Sequence, residues 1–229
     1  MIEHSKLIIK RALSNIKKSK GIDLDISKIP MDDAKTFELY SKGNTQSISQ
    51  FESAEMQQFL QALQPTKFED LIALNALYRP YGPMDYIPDF IDRKQGRKEI
   101  IYDFPEIEFH LKETYGIYVY QEQIMRLSQD LAGFTPEQSD ELRRAIGKKH
   151  TDKLKEFKVK FIDNATKNGF APKEKLEKIW EDWTGVATNL FNKSHAVAFT
   201  LISYQTAYLK ANFPEEFEEA YRYYNNDIA

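Results

Sequence analysis

Residues 121–150 read QEQIMRLSQDLAGFTPEQSDELRRAIGKKH, and nearly every position in them is assigned by helical chemistry. The first run should end at Gly133, because glycine closes a helix in the left-handed conformation without a Cβ penalty. Thr135 then caps a second helix, with Pro136 in its first turn and Gln138 completing a capping box. Leu142, Ala145 and Ile146 recur at i, i+3 and i+4 and give that helix its buried face, so Arg143 and Arg144 fall off the apolar stripe. Gly147 suits a left-handed C-terminal residue, and Lys148, Lys149 and His150 lead into a third, basic helix from about Thr151 to Asn168. That helix should bury Leu154, Phe157, Phe161 and Ala165.

The same pattern extends outward. In SAEMQQFLQALQP (53–65), Met56, Phe59, Leu60 and Leu63 keep helical spacing until Pro65, and in TKFEDLIALNALYRP (66–80) Thr66 and Glu69 are placed as a capping box. Residues 79–90 carry three prolines and a glycine and break the pattern. Tyr115 to Tyr120 (YGIYVY) is β-branched and aromatic enough for a short strand or extended segment. SHAVAFTLISYQTAYLKANF (194–213) is apolar on nearly all sides and reads as a central core helix with a Ser194 cap, stopping before Pro214. The expected fold is mainly α, a single multi-helix domain over residues 1–229 with a few short strands or extended segments.

Composition narrows the function. The chain has 229 residues, a formal net charge of −3 and 41% hydrophobic residues, enough for a sizeable core. It has no cysteine, and its four histidines show no ligand spacing, which argues against a zinc enzyme. No run approaches the roughly 20 apolar residues of a spanning helix, so a cytoplasmic protein with no membrane partner is expected. Charge is segregated: Arg143 to Lys160 contains eight Lys or Arg against Asp152 and Glu156, whereas NFPEEFEEAY (212–221) carries four glutamates and no base.

Two readings of Arg143 and Arg144 stand side by side. Cations in the last turn of a helix gain a few tenths of a kcal/mol from its dipole and need no ligand. Adjacent guanidiniums, with Lys148 and Lys149 across a turn, could instead contact several phosphate oxygens together. Asn192, Lys193, Ser194 and His195 form a polar cluster at a helix N-terminus, where the dipole favours an anion, although an ordinary cap explains those four residues alone. Asp23 and Asp25, like Asp32 and Asp33, have spacings that invite a two-metal reading, but both pairs flank Pro30 and are expected as turn or cap acids.

Six ordered blocks, IPMDDAKTFELYSKGNTQSISQFES (29–53), FEDLIALNALYRP (68–80), YIPDFIDRKQGRKEI (86–100), LKETYGIYVYQEQIMRLSQDLAGF (111–134), LRRAIGKK (142–149) and FNKSHAVAFTLISYQTAYLKANFP (191–214), resemble successive motifs of a known family. It is the catalytic α subunit of bacterial DNA polymerase III, the C family of replicative DNA polymerases, and the resemblance covers roughly residues 5 to 219. It implies the fingers of such a polymerase, as a fragment or truncated homologue acting in DNA replication. The palm that supplies the metal-binding aspartates has no counterpart, so the chain is expected to be inactive alone, with no catalytic residue and no metal ligand of its own. Mg²⁺ is expected only with that missing palm.

By the same resemblance, Arg143, Arg144, Lys148 and Lys149 would contact the triphosphate of an incoming dNTP. Arg79, Tyr120, Gln121, Gln123, Asn192, Lys193, Ser194 and His195 would contact nucleotide or DNA, and Lys153, Lys155 and Lys160 would meet primer–template phosphates. The remaining polymerase domains or other replisome subunits are the implied protein partners. Three positions depart from the family pattern: Tyr81 is inserted in RPYGP, Ser49 replaces an apolar residue, and Thr188, Asn189 and Leu190 stand where an aromatic residue flanked by small ones is usual. The alternative is a stand-alone helical module that binds DNA or docks on a replication protein.

Overall fold

A computed structural model describes residues 2–79 and 83–225, and of Thr188 the backbone alone. Among the described residues there are twelve α-helices: α1 (Ile2–Lys20), α2 (Ala34–Ser41), α3 (Ala54–Leu63), α4 (Phe68–Leu77), α5 (Ile87–Lys94), α6 (Pro105–Leu111), α7 (Gln121–Ala132), α8 (Pro136–Gly147), α9 (Thr151–Lys167), α10 (Lys173–Val186), α11 (Lys193–Asn212) and α12 (Pro214–Asn225). The mainly α expectation holds, and the only β pairing among the described residues is one isolated parallel bridge. The residues gather into two compact units, 1–75 with 194–229, and 76–193.

In the first unit, Ile8, Ile9, Ala12 and Ile16 of α1 pack with Leu209 of α11 and with Phe217 and Ala220 of α12. Burying each large side chain stabilises by about 1.5–3 kcal/mol. From Thr200 to Asn212, α11 has no exposed residue, as expected of a central helix, yet it buries Thr200, Ser203 and Thr206. These hydroxyls are partnered. Thr206 donates to Ile202 O one turn back at 2.8 Å, while the other two tie the helix to neighbouring segments: Ser203 Oγ donates to Ser49 O at 2.6 Å and Thr200 Oγ1 accepts from Asn75 Nδ2 at 3.0 Å. Tyr204, set between the rings of Phe37 and Phe68, donates to Pro30 O at 2.9 Å. Ser49 Oγ itself is buried without a partner, so the hydroxyl at this departure from the family pattern gains nothing visible.

Local chemistry accounts for most helix ends here, with two corrections. Asp25 and Asp33 are caps, as expected. Asp25 accepts from Ser27 and is held down to about 2 by that hydroxyl and by Lys28; Asp33 accepts from Thr36 N. The Thr66–Glu69 box does not form: α4 begins at Phe68, one position later than that box requires, and Thr66 N donates to the buried Asp70 carboxylate at 3.0 Å. Ser194 is not the cap of α11 either, because the helix already includes Lys193.

The second unit packs α6 to α10 around Leu127, Leu131, Leu142, Phe161, Trp180 and Trp183. Phe161 lies 4.8 Å from the Trp183 ring and 5.7 Å from that of Trp180. The expected inner face of α9 is observed, with Phe161 and Ala165 buried and Leu154 and Phe157 packed against them. Thr135 makes its box with Gln138, and Gly133 ends α7 at φ +60°.

The end of α8 differs from expectation. Gly147 stays helical, Lys148 follows in the right-handed region, and Lys149 is the left-handed residue at φ +52°. Lys149 N donates to Ile146 O and His150 N to Ala145 O, both at 3.0 Å, the paired closure of a Schellman motif. The helix runs two residues further than the glycine suggests, because that closure depends on where the chain turns and not on glycine alone.

Candidate functional site

The two arginines of α8 converge on one carboxylate. Asp140 lies one turn before them on the same helix. Its Oδ1 accepts from Arg143 Nε at 2.9 Å and Nη2 at 2.7 Å, and its Oδ2 accepts from Arg144 Nη2 at 2.6 Å. The Arg143 and Arg144 side chains around it keep the Asp140 carboxyl below the usual range, with the Arg143 hydrogen bond as the largest cause. Arg143 also extends Nη1 to Gln121 Oε1 at 3.4 Å, and its side chain is 33% exposed against 65% for Arg144.

Arg144 faces an open cleft of about 500 Å³ lined with Lys148, His150 and Lys153 and with the acids Glu137, Asp140 and Glu141. Lys153, from the first turn of α9, is paired with Glu141, whose carboxyl is lowered by that contact. Lys149, exposed, lies beside a smaller hollow with His150 and Lys153. The elbow between α8 and α9 therefore concentrates cations from two helices, several of them already answered by acids of α8. Lys155 is exposed further along α9, and Lys160, also exposed, lies over the Phe134 ring at 5.4 Å.

A second polar group forms around the single bridge, Tyr120 with Phe191. Phe191 N donates to Val119 O and Gln121 N to Phe191 O, both at 2.9 Å. Arg79 donates to Asn189 O and stacks on the Phe191 ring at 4.7 Å, and burial lowers its pKa. Gln121 Nε2 reaches Leu190 O at 3.4 Å. Arg79, Gln121, Arg143 and the segment 189–193 are thus connected by direct contacts.

Other expected site residues have structural duties. Tyr120 is buried. Gln123, also buried, accepts on Oε1 from Val119 N at 2.8 Å and Tyr120 N at 2.9 Å, and donates from Nε2 to Thr114 Oγ1 at 2.8 Å and His110 O at 3.3 Å. At the start of α11, Glu122 accepts from Lys193 N at 3.0 Å and from Asn192 Nδ2 at 2.7 Å, while Lys193 Nζ reaches both Glu113 oxygens at 2.7 Å. Ser194 and His195 belong to the other unit and are exposed, His195 with its ring 4.3 Å from Phe199.

Asp140, Glu122 and Glu113 are the residues that sequence reasoning missed. Asp140 had a usable signal, since an acid three and four positions before two arginines shares their helix face. Glu122 and Glu113 act across 71 and 80 residues and had none.

Among the described residues no group of three His, Asp or Glu side chains is placed to hold a metal ion. No described helix is long and apolar enough to cross a membrane. Tyr81 and the Thr188 side chain, two of the departures from the family pattern, lie outside the described residues.

Residues 6–169 match the bacterial DNA polymerase III alpha subunit finger domain. Proteins named DNA polymerase III subunit alpha are similar over most of the chain. The one from Aquifex aeolicus is 48% identical over 88% of this chain, that from Borreliella burgdorferi 48% over 93%, and that from Thermus aquaticus 44% over 90%. The chain spans less than a fifth of each relative's length, 17%, 18% and 17% respectively.

Proposed function

Because the chain belongs to the bacterial DNA polymerase III alpha subunit finger domain family, we propose that it binds the triphosphate of an incoming deoxynucleotide at the end of α8 during DNA replication. The observation that carries this reading is the convergence of Arg143 and Arg144 on one carboxylate beside the cleft that holds Lys148 and Lys153. Two guanidiniums aimed at a single pair of oxygens can receive phosphate oxygens in the same way. Lys149 adds a further cation at the turn.

In this role the chain orients a polyphosphate and offsets its charge, which favours a phosphoryl-transfer transition state without supplying a nucleophile or base. Primer–template DNA, met by Lys153, Lys155 and Lys160 of α9, and the other parts of a replicative polymerase are the proposed partners. On its own the chain is expected not to extend a primer.

Replacing Arg143 and Arg144 together with Ala tests the reading. Triphosphate binding should weaken by at least about tenfold, since charge-assisted hydrogen bonds are worth roughly 1.5–3 kcal/mol each. Replacing Lys155 and Lys160 with Ala should weaken DNA association and spare triphosphate binding. Nucleotide-induced NMR shifts around Gly147 that are identical in the parent and the double Ala variant would overturn the proposal.

A further inference from the structure

We propose that Asp140 is a displaceable internal counter-ion, a carboxylate that occupies the arginine pair in the free chain and sets how much negative charge a ligand must bring to enter. The inference rests on the triphosphate reading of the same site and concerns its regulation.

The geometry shows a filled anion cradle. Arg143 and Arg144 are consecutive helical residues, so their Cα–Cβ directions diverge by about 100° around the helix axis. Both side chains nevertheless turn back one turn to the same group. Arg143 closes on Oδ1 through Nε and Nη2, and Arg144 on Oδ2 through Nη2. Asp140 thus does in the free chain what a bound phosphate would do: it accepts from both forks and reduces the repulsion between two neighbouring positive charges.

A ligand does not meet two bare guanidiniums. It must replace contacts that already exist and remain beside the carboxylate it has displaced. A singly charged anion exchanges one carboxylate for its equivalent and gains little. A polyphosphate offers several oxygens at once and reaches Lys148 in the same cleft. Asp140 therefore lowers affinity for every anion and leaves measurable binding only to those dense in charge.

The side chain is suited to release. It is about one-third exposed, and among the described residues it pairs with the two arginines. Surface pairs of this kind are weakly held, and a multidentate ligand outcompetes them. Glu137 lines the same cleft and carries the same charge but makes no ion pair with either arginine. It supplies an internal control.

The test measures binding of inorganic tripolyphosphate and of orthophosphate to the 229-residue chain, to Asp140→Asn and to Glu137→Gln, with thermal unfolding confirming that each is folded. Asp140→Asn should bind tripolyphosphate about three- to tenfold more tightly than the parent and bring orthophosphate into the measurable range. Glu137→Gln should gain less than half of that, and Asp140→Glu should return affinity towards the parent. A purely structural role for Asp140 predicts weaker binding on its removal, the opposite sign. Unchanged or weaker binding by Asp140→Asn, or an equal gain in Glu137→Gln, overturns the counter-ion role while leaving the site in place. If neither the parent nor Asp140→Asn binds tripolyphosphate, the triphosphate site itself is refuted.

Discussion

Glu122 and Lys193, 71 residues apart, meet at the first turn of α11, where the Glu122 carboxylate accepts the Lys193 backbone N–H at 3.0 Å and the Asn192 side chain at 2.7 Å. The positive end of that helix dipole is therefore already answered from within the protein. An anion site expected from Asn192 and Lys193 alone would have to expel an acid that makes two hydrogen bonds there.

Replacing Glu122 with Ala should destabilise the chain by about 1 kcal/mol, the usual cost of losing a carboxylate at a helix N-terminus. Orthophosphate should then shift the amide resonances of Asn192 and Lys193 in the variant and not in the parent. Shifts in the parent would show that Glu122 leaves the end open.

Gln123 is expected to behave as a core residue. It satisfies two backbone N–H groups, a threonine hydroxyl and a carbonyl from a buried position, so Gln123→Ala should cost roughly 2–3 kcal/mol in urea unfolding. A variant of parental stability with impaired nucleotide binding would instead support the ligand role implied by the resemblance.

Lys149 holds a left-handed backbone with a side chain that disfavours it. Lys149→Gly should raise stability by about 1 kcal/mol. Reading the same variant for tripolyphosphate affinity separates backbone strain from charge; a loss of stability would mean that the lysine side chain supports the turn.

Alkaline pH should weaken the fold. Burial raises the pKa of Tyr40 and Tyr118 well above the ordinary 10.0 and that of Tyr204 to about 12. Above pH 10 the unfolded chain releases these protons while the folded chain keeps them, so the unfolded state binds fewer protons and stability falls as pH rises. Each such group contributes about 1.4 kcal/mol per pH unit between its unfolded and folded pKa. Tyr40→Phe removes one of them. The Tyr40 hydroxyl is buried without a partner, so this variant should match or exceed the parent at pH 7 and lose less stability between pH 10 and 11. Equal slopes in the two proteins would rule this account out.

What the sequence made legible follows the range of each interaction. Thr135 with Gln138, Gly133 and the inner face of α9 depend on neighbours within about one turn, and all three stand as read. Gly147, Thr66 and Ser194 failed by one or two positions, because several adjacent residues can serve each terminus and tertiary contacts choose among them. The convergence on Asp140 lay within reach of i, i+3 and i+4 reasoning. The burial of Gln123 and Tyr120 was not legible, because the bridge from Tyr120 to Phe191 and the Gln123 contacts with His110 and Thr114 come from segments that no local pattern links.

That bridge also bears on how the second unit opens. Val119, Gln121 and Phe191 exchange two backbone hydrogen bonds across some 70 intervening residues, and Arg79 is clamped on the same segment through Asn189. The start of α7 and the approach to α11 cannot detach from one another without breaking both bonds. In native-state hydrogen exchange the amides of Gln121 and Phe191 should therefore share one opening free energy, higher than that of the solvent-facing turns on either side.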